Sequence, residues 1–473
     1  MNKKLLLLGG VAVLFIGYFV FQIVSKKDTI SVSDQPSIIV IDICSLRKDR
    51  LGAFGSQAEL TKNLDAFAKE SATFQNFWTE SGWCLPNFAT MLTGMRPDAH
   101  QQTLVLPNNT QSASLLENLE MLPEILRARG FTTAGFSGSR YLSQEFWPAD
   151  TYTKGGLLRG FDTFANPYRF SYEDDHMGSM SVEENFPRIK EWLAQKTDKP
   201  RFLYITIDDL HSPYRMDDAD AARVEALYDG SMKNSLLSMK VMRLFNGEKQ
   251  NNITADEIRA AAELKNNPKA LEYVRARYDA SVKRADRLFG ELVGELKASG
   301  QWDNSVVIVT AHQGESLGEN GKLGHTGSGL SGEIVNVPLF IRYPGKTNGE
   351  TVSALAERVD IPATILDIVG TLKSHPQFGG ASLLGWLGKT TPTQWKKYIF
   401  ASSQRTMIPA ATTQAIDERA VRNERYKLVW YGYQKNPYAL YDIVADPLEQ
   451  KNIISTEPSV FQELKAQLDL NAK

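Results

Sequence analysis

At 473 residues the chain exceeds the common size of one domain, which predicts a large domain joined to a smaller one. Apolar residues make up 42% and charged residues 23%, a balance that excludes a disordered chain. A net charge of −2 removes the polyelectrolyte reason to expect a nucleic-acid partner.

The chain begins with Lys3 and Lys4, an uncharged and mostly apolar run over residues 5–24, and then Lys26 and Lys27. As a helix rising ~1.5 Å per residue, that run crosses a hydrocarbon core of ~30 Å. No small-residue cleavage site follows it. Residues 1–27 therefore read as an uncleaved signal anchor or transmembrane helix, and residues 28–35 as a polar tether. Lysines on both flanks leave the orientation open on charge bias alone.

After Pro36 a continuous β-branched run over residues 37–43 predicts a buried parallel strand. Residues 115–129 have helical spacing and meet Gly130, a good residue to end a helix. Strands are predicted over 131–136 and 202–207. Residues 216–269 are helix-prone, charged and weakly patterned, an insertion that borders the site or, on the plainer reading, makes a solvated helical excursion. A long amphipathic helix over 273–298 leads to a strand over 306–310, which ends in Ala311-His312-Gln313-Gly314-Glu315. Strands and helices in alternation imply a sheet covered on both faces, with its site at the strands' C-terminal ends. Gly379-Gly380 marks a junction between a body, residues 36–378, and a smaller unit, residues 379–473.

Several motifs fall in order along this body. Cys84-Leu85-Pro86 opens a helical run that closes on Leu92-Thr93-Gly94. Leu46-Arg47-Lys48-Asp49 follows the first strand, and His211-Ser212-Pro213-Tyr214 follows a later one. Gly314-Glu315-Ser316-Leu317-Gly318-Glu319 precedes Gly324-His325, and Val337-Pro338-Leu339 comes next. Tyr426-Lys427-Leu428 and Leu440-Tyr441-Asp442 lie near the end. In this order the motifs resemble those of the sulfatases, in the alkaline phosphatase superfamily. The resemblance implies an α/β fold, an alkaline-phosphatase-like mixed sheet sandwiched by helices, with a smaller C-terminal α+β subdomain. It also implies hydrolysis of sulfate esters, with sulfated or phosphorylated small molecules or glycans as substrates and an exported, periplasmic or extracellular, body.

In that family the cysteine of C-x-P-x-R becomes formylglycine and attacks the ester beside a divalent cation, calcium in many members. The resemblance places Cys84 at the nucleophile, and His211 and His325 where they contact the ester oxygens and protonate the leaving group. It also puts Arg140 in place of the lysine that the family supplies for substrate binding. Departures concentrate at the nucleophile and the metal. Phe88 stands where the arginine belongs, which counts against formylglycine. Cys44 and Ser45 take the two aspartate positions after the first strand, and His312 and Gln313 take the aspartate and the histidine or asparagine of the second. Asp42 lies on the same strand face as Cys44, one pleat deeper.

Thiolate and imidazole are poor ligands for calcium and suit zinc or another soft ion. Cys44 and Cys84 are the chain's only cysteines. Three readings stay open. Cys44, Cys84 and His312 bind a soft metal, completed by Asp42, Gln313 or water. Alternatively Cys44 and Cys84 pair in a disulfide, or a metal-free site binds without cleaving, as in a catalytically degenerate binding or structural protein. A phosphate or phosphonate ester hydrolase using a soft metal is a further alternative. His100 reads as a residue that holds a loop.

Overall fold

The computed structural model describes residues 35–101, 116–144, 146, 156–168, 180–230, 233, 235–248, 252–325, 329–388, 391–405 and 416–471. The predicted anchor, and the tether except Gln35, lie outside the described residues. Among the described residues no helix is long and apolar enough to cross a membrane.

Among the described residues ten strands belong to the body: β1 Ser37–Ile43, β2 Ala72–Trp78, β3 Thr132–Phe136, β4 Thr163–Ala165, β5 Arg201–Ile207, β6 Ser305–Thr310, β7 Ser316–Leu317, β8 Leu323–Gly324, β9 Leu339–Arg342 and β10 Thr351–Glu357. Eight of them form one sheet in the order β10-β2-β9-β6-β1-β5-β3-β4, and β7 pairs with β8 apart from it. Within the large sheet β9 runs antiparallel to both neighbours, β2 and β6. The other pairings are parallel. This is the mixed sheet that the motifs implied. Every residue of β1, β5 and β6 is buried, which explains why these strands read as unbroken apolar runs.

Five helices matter here: α1 Cys84–Thr93, α2 Met239–Phe245, α3 Pro268–Ala298, α4 Asp360–Ile368 and α5 Pro458–Asn471. α1 is buried along its whole length and ends at Gly94, whose φ of 66° supplies the left-handed turn that stops it. α3 begins earlier than its apolar periodicity shows, because Asn267 caps it and Pro268 fits its first turn. The helix expected over 115–129 is confined to Leu122–Ala128. Pro123, lacking an N–H, suits a helix start and separates this helix from the turn at 116–119.

The insertion is not a solvated excursion throughout. Val241, Met242 and Phe245 of α2 are buried. Asn246, just after it, clasps β8, donating to the Leu323 carbonyl at 2.9 Å and accepting from the Leu323 N–H at 2.8 Å. In the C-terminal subdomain the antiparallel sheet β11 Ile399–Arg405, β12 Ile416–Arg422, β13 Tyr426–Tyr431 and β14 Tyr438–Asp442 carries α5 on one face. Leu464 and Leu468 pack there on Val421, Leu428 and Leu440. The subdomain meets the body through the Ser402 N–H on the Glu80 carbonyl, at 2.7 Å, and the Trp395 indole on the Leu355 carbonyl, at 2.7 Å.

Candidate active site

β1 and β6 are parallel neighbours with Asp42 opposite Thr310, so the residues just past their ends meet at one edge of the sheet. Cys44 continues the line of β1, donating its N–H to the Ile207 carbonyl at 2.9 Å. Ser45 then turns away with φ of 55°, a left-handed conformation unusual outside glycine. His312 and Gln313 leave the end of β6, and Cys84 is the first residue of α1. The Sγ atoms of Cys44 and Cys84 and a ring nitrogen of His312 all lie within 4.8 Å of one another, fully buried. Both cysteines are free thiols. Gln313 Nε2 donates to each sulfur at 3.4 Å. Four of the predicted floor residues therefore converge.

Asp42 does not join them. Its Oδ2 accepts from the Tyr204 hydroxyl at 2.8 Å and pairs with the Arg358 guanidinium, while its Oδ1 lies 3.0 Å from His312 Nδ1. Asp42 thus stands behind His312, not beside the sulfurs. Burial works to raise the Asp42 carboxyl, but Arg358 and His312 together hold it well below the usual carboxylate range. His312 is pushed up to about 9 because Asp42 and Cys44 outweigh its desolvation. Burial raises the Cys44 thiol well above its ordinary value, and the Cys84 neighbour adds to that. Arg358, fully buried, also donates to the Asn87 carbonyl at 2.8 Å and to the Ala311 carbonyl at 3.3 Å.

A calcium-type ion does not fit this donor set. Two thiols, an imidazole and a carboxamide face one another, and a hard cation wants oxygens. Asp208, another buried carboxylate at the cavity, is engaged by the Thr206 hydroxyl and by the Gly138 N–H at 3.2 Å. The position expected for the formylglycine arginine is no better supplied. Phe88 packs its ring 4.5 Å from that of His312, and the Arg358 guanidinium is turned to Asp42.

The wall of the cavity is different. His325 Nδ1 lies 2.6 Å from Glu315 Oε2, and the Tyr214 hydroxyl donates to Glu315 Oε1 at 2.6 Å. A carboxylate at that distance fixes the proton on Nδ1 and turns the Nε2 lone pair outward. Nε2 is 3.9 Å from Cys84 Sγ. The His211 ring meets the His325 ring edge-on at 5.1 Å, and its Nδ1 donates to the Ser212 carbonyl at 3.0 Å. Burial, and then His325, lower His211 to about 4, so it is neutral at physiological pH. Arg47 holds Asp49 and Glu319 at 2.8 and 2.7 Å and donates to the Glu315 carbonyl at 3.1 Å, which orders the loop under that wall.

Arg140, in the turn Arg140–Leu142 past β3, lines the cavity as expected. Arg243 and Met239 of α2 line it too, and neither was singled out in the sequence. Their i, i+4 spacing puts a cation and a thioether on one helix face, a signal that the surrounding charge obscures. His100 is buried at the foot of α1, its Nε2 3.2 Å from the Thr90 hydroxyl and 3.1 Å from the Pro86 carbonyl.

Comparisons with known proteins bear on the family and the fold. The sulfatase family model matches residues 36–371, and that for the C-terminal region of N-sulphoglucosamine sulphohydrolase matches residues 330–473. The chain is similar to an ulvan-active sulfatase of Formosa agariphila, 25% identical over 96% of this chain and 85% of that protein. Its fold is similar to that of a protein solved in complex with its substrate D-glucosamine-2-N,6-O-disulfate, with a TM-score of 0.66 at 20% identity, over 92% of this chain and 97% of the other. It is also similar in fold to a phosphonate monoester hydrolase of Agrobacterium radiobacter, with a TM-score of 0.69 at 19% identity, over 93% and 96% of the two chains.

Proposed function

We propose, for a chain that belongs to the sulfatase family and is thereby a sulfuric ester hydrolase, that Cys84, His325 and His211 hydrolyse the sulfate ester of a sulfated saccharide. The observation that carries this reading is the relay from Glu315 through His325 to Cys84, at 2.6 and 3.9 Å. A saccharide is supported by relatives described as acting on ulvan and on a glucosamine disulfate. The lysine-flanked apolar run at residues 5–24 supports a membrane-tethered body, and the family resemblance supports the exported side.

Arg140 and Arg243, which both line the cavity, attract the sulfate group, and a guanidinium can bind two of its oxygens at once. His325 Nε2 takes the Cys84 proton, and the thiolate attacks the ester sulfur. The bond from that sulfur to the saccharide oxygen breaks, and the oxygen receives the proton from His325. Cys84 then carries the SO₃ group on its sulfur. Water, deprotonated by His325, attacks the same sulfur and breaks the bond to Cys84, which releases sulfate and restores the thiol. His211, neutral and fixed through Nδ1, faces the leaving oxygen through its other ring nitrogen.

The test is sulfate release from a panel of sulfated mono- and disaccharides, measured by ion chromatography beside matched phosphate esters. Sulfate release is expected, with transient gain of one SO₃ group on the peptide containing Cys84. Glu315→Gln is expected to lower kcat about 10²-fold with little change in KM, because it loosens the His325 tautomer. Hydrolysis confined to the phosphate esters would overturn the reading, and so would resistance of every ester.

A further inference from the structure

The floor has features that the hydrolytic relay leaves unused. His312 Nε2 and Gln313 Oε1 are buried and have no hydrogen-bond partner. His312 is fixed from behind by Asp42 at Nδ1, 3.0 Å away, and Asp42 is in turn fixed by Arg358 and by Tyr204. A carboxylate on one imidazole nitrogen is the arrangement that orients the other nitrogen toward a metal and raises its basicity. The chain spends a buried aspartate, a buried arginine and a tyrosine on aiming a nitrogen at two sulfurs.

We propose that Cys44 Sγ, Cys84 Sγ, His312 Nε2 and Gln313 Oε1 form a tetrahedral site for Zn²⁺. The two thiols and the imidazole nitrogen already lie within 4.8 Å of one another. Tetrahedral bonds of ~2.3 Å to sulfur and ~2.0 Å to nitrogen place such atoms roughly 3.5–3.8 Å apart, so side-chain rotation closes the set without moving a strand. The Gln313 carboxamide points its Nε2 at both sulfurs. Turning it about its last bond exchanges Nε2 for Oε1, a donor to the sulfurs for a ligand to the ion.

The charges agree. Two thiolates neutralise Zn²⁺, and Asp42 and Arg358 neutralise each other behind a neutral His312, so no net charge is buried. On binding, the two thiol protons and the second ring proton of His312 pass to solvent. The site itself does not rest on the proposed hydrolysis.

Anaerobically purified full-length protein should contain about one zinc per chain, and the ion should survive excess calcium. Reconstitution with Co²⁺ should give strong thiolate-to-cobalt absorption in the near ultraviolet. Zinc content should fall about tenfold or more in Cys44→Ala and in His312→Ala. The cobalt spectrum of the unsubstituted protein keeps the test valid if His312→Ala fails to fold. Protein that binds calcium and not zinc or cobalt overturns the proposal. So does protein whose mass rises by two protons on reduction, because its thiols are joined in a disulfide. Sulfate ester hydrolysis by protein that binds neither zinc nor cobalt removes the zinc site and leaves the proposed function standing. Zinc bound as described, with every sulfate ester resistant, does the reverse.

Discussion

On the wall of the cavity, Glu315 bonds His325 and Tyr214 at 2.6 Å each, and the His211 ring meets that of His325 edge-on at 5.1 Å. On the floor a thiol and an imidazole stand at aspartate positions, and a phenylalanine stands at the arginine. The histidines that match the family's motifs, His211 and His325, are kept, whereas the residues at its nucleophile and metal positions differ together. The Arg358 guanidinium does not stand in for the one missing at Phe88, because it is turned to Asp42, which backs His312. A floor decaying without function would leave orphaned charges, and burying an unpaired charge costs several kcal/mol. Here Asp42 and Arg358 are paired.

The sharpest way to break the comparison is at Cys84. Cys84→Ala is expected to lower kcat for sulfate ester hydrolysis about 10³–10⁴-fold, because the wall can protonate a leaving group but cannot attack sulfur. A loss below about tenfold in single-turnover assays would assign the chemistry to the wall alone. Arg358 tests the floor as structure. Arg358→Leu leaves the buried Asp42 carboxylate to His312 and Tyr204 alone, without its guanidinium, and is expected to cost about 3 kcal/mol in urea denaturation. Replacing both partners by leucine should recover most of that loss, since the isolated charge and not the missing pair carries the cost.

Arg243 tests a third element, the insertion. Arg243→Ala is expected to raise KM for a sulfated substrate about tenfold with kcat nearly unchanged, because it removes charge that binds ester and transition state alike. An unchanged KM, measured by initial rates, would reduce α2 to a structural cover.

The wall was legible because its residues sit in dense local motifs, and Gly314-Glu315 and Gly324-His325 hold their spacing around a short hairpin. Cys44, Cys84, His312 and Gln313 were legible as a set for the same reason: each stands beside a motif that fixes the alignment. The role of Asp42 was only half legible. Strand alternation gave its face and depth, but it could not show that Arg358, far away in sequence, takes its carboxylate. Arg358 precedes α4 between Glu357 and Asp360, and a cation flanked by two carboxylates reads in sequence as a surface charge. Arg243 was missed because the insertion around α2 is charged and weakly patterned, which hides a two-residue stripe facing the cavity. The helix that began late at Leu122 shows a local failure of another kind, where proline chemistry outweighed apolar spacing.

The smallest expected effect concerns the helix that carries Cys84. His100 ties the end of the Pro97–His100 turn to α1 through Thr90 and the Pro86 carbonyl, and burial lowers its pKa to about 3. In the unfolded chain this imidazole takes a proton near pH 6.5, but in the folded protein only near pH 3. The unfolded state therefore binds more protons between those values. The stability that neutral His100 contributes is full above pH 6.5 and falls as the pH drops toward 3. Between pH 7.5 and 5.5 the loss from this group is about 1 kcal/mol by linkage. His100→Gln keeps a polar side chain but cannot titrate, so its stability should fall less steeply over that interval than that of the unsubstituted protein, as read by urea midpoints at several pH values. Equal slopes would mean that His100 is protonated in the folded state and that its bonds to α1 differ from those described. Because the effect acts on α1 and not on Glu315 or His325, any accompanying loss of activity should follow the unfolded fraction and leave the pH profile of the folded enzyme unchanged.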